Sequence, residues 1–129
     1  MSCRLIDQAW FSGKGLKIVH LNINRIMGKI DQVKLALDDK IPDIFGLSET
    51  FLNDQVDDRL LTHDKYQLER RDRVGKSGGG LICYIKYDIT YGRRNDLENV
   101  NIEIMWLEML YATSKNIIIG FFYRKFRMA

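Results

Sequence analysis

LKIVHLNINRIMGKIDQVKLALDDKIPDIFGLSET, residues 16–50, is the stretch whose reading decides the fold. Residues 16–22 alternate, with Leu16, Ile18, His20 and Asn22 on one face and Lys17, Val19 and Leu21 on the other. Apolar residues stand on both faces, which predicts a well-buried strand. Met27, Ile30, Val33, Leu37 and Ile41 then recur at spacings of three or four, the apolar stripe of an amphipathic helix. Pro42 ends that helix, because the residue before a proline avoids helical angles. Residues 44–47 are a second short buried strand, with Ser48, Glu49 and Thr50 at its carboxyl end. Strand, helix and strand in this order predict a βαβ-type unit, with the relative direction of the two strands left open.

Downstream the pattern changes to successive strands at 66–70, 80–87, 100–111 and 116–123, separated by turn-rich stretches at 75–79 and 113–115. The last is continuous apolar sequence and is expected inside a sheet. Upstream, residues 12–15 (Ser-Gly-Lys-Gly) read as a linker. The class is α/β, and the late strands fit an antiparallel meander.

A chain of 129 residues with 46% apolar and 29% charged residues fits one globular domain. The formal net charge of +3 does not by itself argue for nucleic-acid binding, so the placement of charge matters more. Arginines cluster at Arg70, Arg71 and Arg73 with Lys76, at Arg93 and Arg94, and at Arg124 and Arg127 with Lys125. Cys3 and Cys83 are too few for a disulfide framework and lack zinc-ligand spacing. The N-terminus has no signal-peptide pattern, and the longest apolar run, 117–123, is far too short to cross a bilayer. A soluble, intracellular protein is expected.

Several chemistries fail on spacing. Gly75-Lys76-Ser77 ends like a phosphate-binding P-loop, but Arg70 stands where that loop needs its first glycine and a strand follows instead of a helix. Gly78, Gly79 and Gly80 read as a tight turn entering a strand. His20 reads as a core histidine and His63 as an exposed loop residue, neither with a zinc partner. Asn22 and Glu49 remain, each at the carboxyl end of a predicted strand in one βαβ-like unit. Parallel neighbours would bring those ends together, where open α/β sheets bind ligands. A carboxylate flanked by amide and hydroxyl oxygens suits a hard divalent cation, although Glu49 equally fits the solvated end of a strand.

Six segments together carry a family resemblance: LKIVHLNIN at 16–24, PDIFGLSETFL at 42–52, LERRDR at 68–73, SGGGLICYIK at 77–86, WLEM at 106–109 and IIIGFFYR at 117–124. Their order and spacing resemble the endonuclease/exonuclease/phosphatase superfamily, specifically the apurinic-endonuclease-like domain of non-LTR retrotransposons. The resemblance spans 15–124 and leaves 1–14 and 125–129 unmatched. It implies half of a four-layer α-β-β-α sandwich and Mg²⁺-dependent nicking of DNA, which supplies the 3′-hydroxyl that primes reverse transcription. It also implies site residues: Asn22 orients groups around the scissile phosphate, Glu49 holds the metal with Asn22 beside it, and the Tyr123 hydroxyl contacts the phosphate. The arginines Arg70, Arg71, Arg73, Arg93 and Arg94 are candidate DNA contacts.

Departures from the family pattern shape the expectation. The paired prolines that follow the family's Tyr-Arg are replaced by Lys125 and Phe126, and neither an Asp-x-Asn nor a Ser-Asp-His motif occurs. The chain is therefore expected to be weakly active or inactive by itself, and to self-associate through the face that a second half would cover. It would be nuclear if it acts on genomic DNA. The alternative reading is a non-catalytic nucleic-acid-binding remnant that uses the arginine clusters. A third is a branch acting on small phosphoesters.

Overall fold

The computed structural model describes residues 5–7, 9, 11, 13–75 and 78–124. The expectations that concern Cys3, Ser12, Lys76, Ser77 and the end at 125–129 lie outside the described residues.

The decisive stretch folds as strand β1 (Ile18–Asn22), helix α1 (Ile30–Asp38) and strand β2 (Ile44–Ser48). The two strands pair in parallel, Ile18 opposite Ile44 and Asn22 opposite Ser48, so their carboxyl ends lie side by side. Val33, Ala36 and Leu37 are the buried face of α1, whereas Met27 is exposed on a 3-10 turn at Met27–Lys29 that precedes the helix. Lys40, at φ 55, closes the helix in the left-handed conformation typical of helix ends, its N–H donating to the Leu37 carbonyl at 3.0 Å.

Strands β3 (Tyr66–Arg71) and β4 (Leu81–Lys86) join this same sheet rather than a later one. The order is β1-β2-β4-β3, with β4 antiparallel to both of its neighbours. Strands β5 (Tyr91–Arg93), β6 (Ile104–Met109) and β7 (Ile117–Phe122) form a second sheet, the expected antiparallel meander, in the order β5-β6-β7. The strand expected at 100–111 shortens to β6 because the Ile102 N–H turns back onto the Asn99 carbonyl at 3.2 Å.

Alternation along the central strands builds two cores. Phe45 and Leu47 of β2 and Ile82 and Tyr84 of β4 face Val33 and Leu37 of α1. Ile44, Leu81, Cys83 and Ile85 point the other way, into a cluster with Met105, Leu107 and Met109 of β6 and Phe121 of β7. Strands buried on both faces read as continuous apolar sequence, as β2 and β4 do. Two buried tyrosines seal the first core: the Tyr66 hydroxyl donates to the Pro42 carbonyl and that of Tyr84 to the Leu61 carbonyl, both at 2.6 Å.

Two sequence expectations fail here. β1 is an edge strand with Val19 buried but Ile18, His20 and Asn22 exposed, because the cluster between the sheets takes residues from β2 and β4 and none from β1. His20 is accordingly no core histidine; its ring meets Phe121 edge-on with centroids 5.5 Å apart. β7 is also an edge, with Ile117, Ile118 and Phe122 exposed and Phe121 alone fully turned into the core. No helix among the described residues is long and apolar enough to cross a membrane.

Gly46 lets the two sheets meet. A Cβ built there would stand 2.4 Å from the Phe121 ring, so the aromatic lies on bare backbone in the middle of β2. Gly46→Ala is therefore expected to destabilise the protein by about 1–3 kcal/mol through overpacking. Denaturant midpoints check this, and the same substitution in a Phe121→Leu background should cost less, since the smaller side chain can yield.

Candidate functional site

The site grows from the paired ends of β1 and β2. Hydrogen bonding between the two segments continues past the strands: Ile23 N–H to the Ser48 carbonyl at 3.0 Å, Arg25 N–H to that of Glu49 at 2.8 Å, and Ile26 N–H to that of Thr50 at 3.1 Å. Four non-glycine residues here have positive φ: Asn24 (48), Arg25 (78), Glu49 (53) and Phe51 (59). Such conformations cost roughly 1–2 kcal/mol for a residue with a Cβ, so this end of the sheet is held against local preference. Part of the holding comes from the glycine turn that leads into β4. Thr50 N–H reaches the Gly80 carbonyl at 3.4 Å and Phe51 N–H that of Gly79 at 2.9 Å. Gly80 must lack a side chain, since a Cβ would stand 2.5 Å from Thr50 Oγ1 and its φ is +94.

Tyr123 follows β7 directly, and its hydroxyl donates a short hydrogen bond to Glu49 Oε1. That bond, burial and the negative charge of Glu49 push the Tyr123 pKa up to about 12, so the phenol remains a protonated donor over the physiological range. Glu49 and Tyr123 are half-buried, while Asn22 is exposed at the neighbouring strand end, its Oδ1 accepting from Asn24 N–H at 3.0 Å. The arrangement thus joins Glu49 to Tyr123 and sets Asn22 on the adjacent strand, opposite the residue before Glu49. An open depression of about 340 Å³ borders Tyr123 and is lined also by Glu103 and Arg124.

Glu103 was not legible as part of the site, because it reads as the solvated face of a strand. In the fold it ties the site together. Its carboxylate accepts from Gly80 N–H and pairs with Arg73, while its backbone carbonyl accepts from Tyr123 N–H at 3.1 Å. One residue thereby connects the glycine turn beneath Glu49 to the backbone of Tyr123.

The five candidate DNA-contacting arginines are engaged within the protein. Arg70 grips Asp72 through Nε at 3.1 Å and Nη2 at 2.6 Å, and also reaches Asp58 at 2.7 Å. Arg71 donates to the backbone carbonyls of Ile104 and Asn99, both at 2.6 Å, and Arg73 pairs with Glu103. Arg93 forks onto Glu98 at 3.0 and 2.9 Å and reaches Glu69 at 3.4 Å. Arg94 forks onto Asp96 and also holds Glu108 at 2.9 Å. Burial opposes ionisation of Glu98, but the Arg93 and Trp106 hydrogen bonds and the nearby positive charges outweigh it and hold its carboxyl below the usual range. Arg71, Arg73 and Arg93 join the two sheets, and a phosphate would have to compete with carboxylates for all five arginines.

His63 also departs from expectation. Its Nδ1 accepts from Lys65 N–H at 3.1 Å, so Nε2 carries the proton that faces Asp38 at 2.7 Å. Its side chain is 9% exposed, and it pins the 61–65 loop to the end of α1 rather than standing free on the surface.

Among the described residues no group of three or more His, Cys, Asp or Glu side chains is placed to hold a metal ion. The candidate donors, the Glu49 carboxylate and the Asn22 amide oxygen at the neighbouring strand end, are hard oxygens. Mg²⁺ is commonly held by one or two carboxylates, with waters and substrate phosphates completing its octahedron, so this donor set fits it.

No protein-family model matches the chain, and no curated protein matches it either. Solved structures do. An AP endonuclease from Leishmania major superposes with a TM-score of 0.73 at 18% identity, over 95% of this chain and 44% of that one. A 3′ phosphatase from Neisseria, bound to a product DNA hairpin, superposes with a TM-score of 0.52 at 18% identity, over 81% of this chain and 40% of that one. This chain therefore spans less than half the length of either protein. The two-sheet α/β architecture is the one found in these AP endonuclease-like structures.

The Glu49–Tyr123 bond predicts a titration. The raised pKa means that this hydrogen bond is intact below pH 10 and is lost as pH rises through about 12. In NMR of ring-labelled tyrosine, the Tyr123 resonance should titrate near the upper value, and Glu49→Gln should move it back toward the ordinary tyrosine value of about 10. A Tyr123 midpoint that ignores the substitution would refute the contact.

Proposed function

We propose that this chain carries the Asn-Glu-Tyr part of the active site of a Mg²⁺-dependent DNA endonuclease of the apurinic-endonuclease type. In that reading the fold is part of a four-layer α-β-β-α sandwich, and the retrotransposon branch supplies its nearest motif pattern. The observation that carries the reading is the meeting of Glu49 and Tyr123, 74 residues apart in sequence, in one hydrogen bond beside the β1 end that bears Asn22. Nothing in local sequence brings a tyrosine after β7 to a glutamate after β2; the packing of one sheet on the other does. The likeness to an AP endonuclease and to a DNA-bound phosphatase lends support.

In this reading Glu49 holds the cation, with the Asn22 side-chain oxygen beside it. When bound, Mg²⁺ supplies positive charge to the scissile phosphate and to the leaving oxygen. Tyr123 keeps its proton and donates it as a hydrogen bond to a phosphate oxygen, replacing its contact with Glu49. The turn of Gly78–Gly80, held by Glu103, keeps the Glu49 backbone in its left-handed conformation throughout. None of the three residues is assigned to take the proton from the attacking water; in the resembling family that role belongs to an Asp-x-Asn motif that the sequence lacks. Loss of a positioned general base lowers rates by about 10²–10⁴-fold, so slow turnover is expected from this chain alone. The engagement of Arg70, Arg71, Arg73, Arg93 and Arg94 with carboxylates and carbonyls weighs against a purely electrostatic binding role built on those clusters.

Nicking of supercoiled plasmid by the purified chain tests the reading. Slow nicking that requires Mg²⁺, stops with chelator and falls by at least about 100-fold in Glu49→Ala is expected. Equal nicking by the parent and Glu49→Ala would sink the proposal and leave a contaminating nuclease as the source.

A further inference from the structure

Arg59, Arg70, Arg71, Arg73, Arg93 and Arg94 each pair with a carboxylate. Arg25 makes no such pair among the described residues, although it stands beside the site. Its guanidinium carbon lies 4.2 Å from the centroid of the Phe51 ring, a cation-π contact. Both partners are rooted in the laced strand ends. Arg25 N–H is bonded to the Glu49 carbonyl at 2.8 Å, and Phe51 N–H to that of Gly79 at 2.9 Å. Each adjoins a buried anchor in the chain, Ile26 at 0% and Leu52 at 3% exposure. Arg25 and Phe51 also both have positive φ, so the backbone is bent at two places to set this pair.

A guanidinium lying on a ring uses its face for that contact and leaves its N–H donors directed outward in its own plane. It keeps its full charge, and because the ring and the backbone already restrict it, less entropy is lost when it grips a ligand. An exposed, uncompensated, preorientated guanidinium at the edge of a carboxylate site matches the two oxygens of a phosphodiester. The Arg25 backbone is bonded to that of Glu49 at 2.8 Å, which roots the guanidinium at the same strand end as the carboxylate.

We propose that Arg25, seated on Phe51, is a binding site for one backbone phosphate of DNA, flanking the phosphate at Glu49. This rests on the nuclease reading above, and binding measured without cleavage separates the two. The probe is a short fluorescent DNA duplex, titrated with the full chain in chelator over a range of salt concentrations. The variants are Arg25→Asn, which tolerates left-handed φ, Arg25→Lys and Phe51→Leu. Losing one phosphate contact should make the plot of log affinity against log salt shallower by about 0.9 for Arg25→Asn. Arg25→Lys and Phe51→Leu should keep the parent slope but bind more weakly at every salt concentration, because charge remains while orientation is lost. Melting curves that match the parent show that each variant is folded; if Arg25→Asn is not, the Lys and Leu variants carry the test. Parent-like affinity and slope in the folded variants would overturn the Arg25 site while leaving Glu49-dependent nicking untouched. A parent that nicks but shows no salt-dependent affinity for the duplex would also overturn it, and a parent that does neither removes both proposals.

Discussion

The contact of Phe121 with the bare backbone of Gly46 sets the geometry of everything that follows. Phe121 and Gly46 are the points at which the edge strand of one sheet touches a central strand of the other. Two residues after Phe121 stands Tyr123, and three after Gly46 stands Glu49. A shift of β7 along or away from β2 would carry the tyrosine hydroxyl off the carboxylate. The hydrogen bond at the site is thus a consequence of close packing deep between the sheets, where interiors tolerate little adjustment. Gly120, one residue before Phe121, serves the same strand on its other face. A Cβ there would stand 2.7 Å from the ring of its cross-strand partner Trp106, so the indole lies on the strand itself.

Charge in this protein works mainly as mortar. The basic clusters legible in the sequence invite a nucleic-acid surface, yet carboxylates meet the arginines at 70–73 and at 93–94 in space. Arg93 takes Glu98 from its own loop and Glu69 from β3, and Arg71 crosses from the first sheet to the carbonyls of Ile104 and Asn99 beside the second. Planar guanidinium forks satisfy several carbonyls and carboxylates at once, which suits them to a seam between sheets whose backbone polar groups still need partners. A run of arginines in sequence shows that positive charge is present; the fold decides how much of it remains uncompensated. By that measure Arg25, outside the arginine clusters, stands out more than Arg70 and Arg71 together.

The legible parts of the fold were those fixed by local periodicity. Apolar runs identified β2 as a buried strand and 80–87 as strand-like, and the spacing of Val33 and Leu37 identified α1. The ends of the first two strands pointed to Asn22 and Glu49, because a polar group directly after a buried strand has few places to go but a sheet edge. Non-local relations were not legible. Nothing in the sequence of β4 says that it inserts between β2 and β3, and the apolar run of β7 reads as a central strand although it lies at an edge. β5, three residues long with a glycine in the middle, carries too little pattern to announce itself. Glu103 and His63 owe their roles to partners 23 and 25 residues away in sequence, and spacing cannot register that.

Placing a hydroxyl on a carboxylate has a chemical implication of its own. A neutral phenol and a carboxylate at close range are content with each other, and the raised pKa of Tyr123 shows how well the proton is kept. If the contact served only stability, nothing would require four residues around it to hold unfavourable backbone angles; a solvated strand end would do. Strain gathered at one edge, maintained by Gly80, Glu103 and the continued lacing of the strand ends, is instead what a site needs when its groups must stay in position while their partners change. Were a cation held at Glu49 as proposed, it would displace the hydroxyl, and a phosphate bound beside it would offer that hydroxyl a new acceptor. The backbone need not move for this exchange, because its conformation is fixed by bonds that involve neither side chain. Preorganisation of that kind is the physical link between the packing of two sheets and chemistry at their rim.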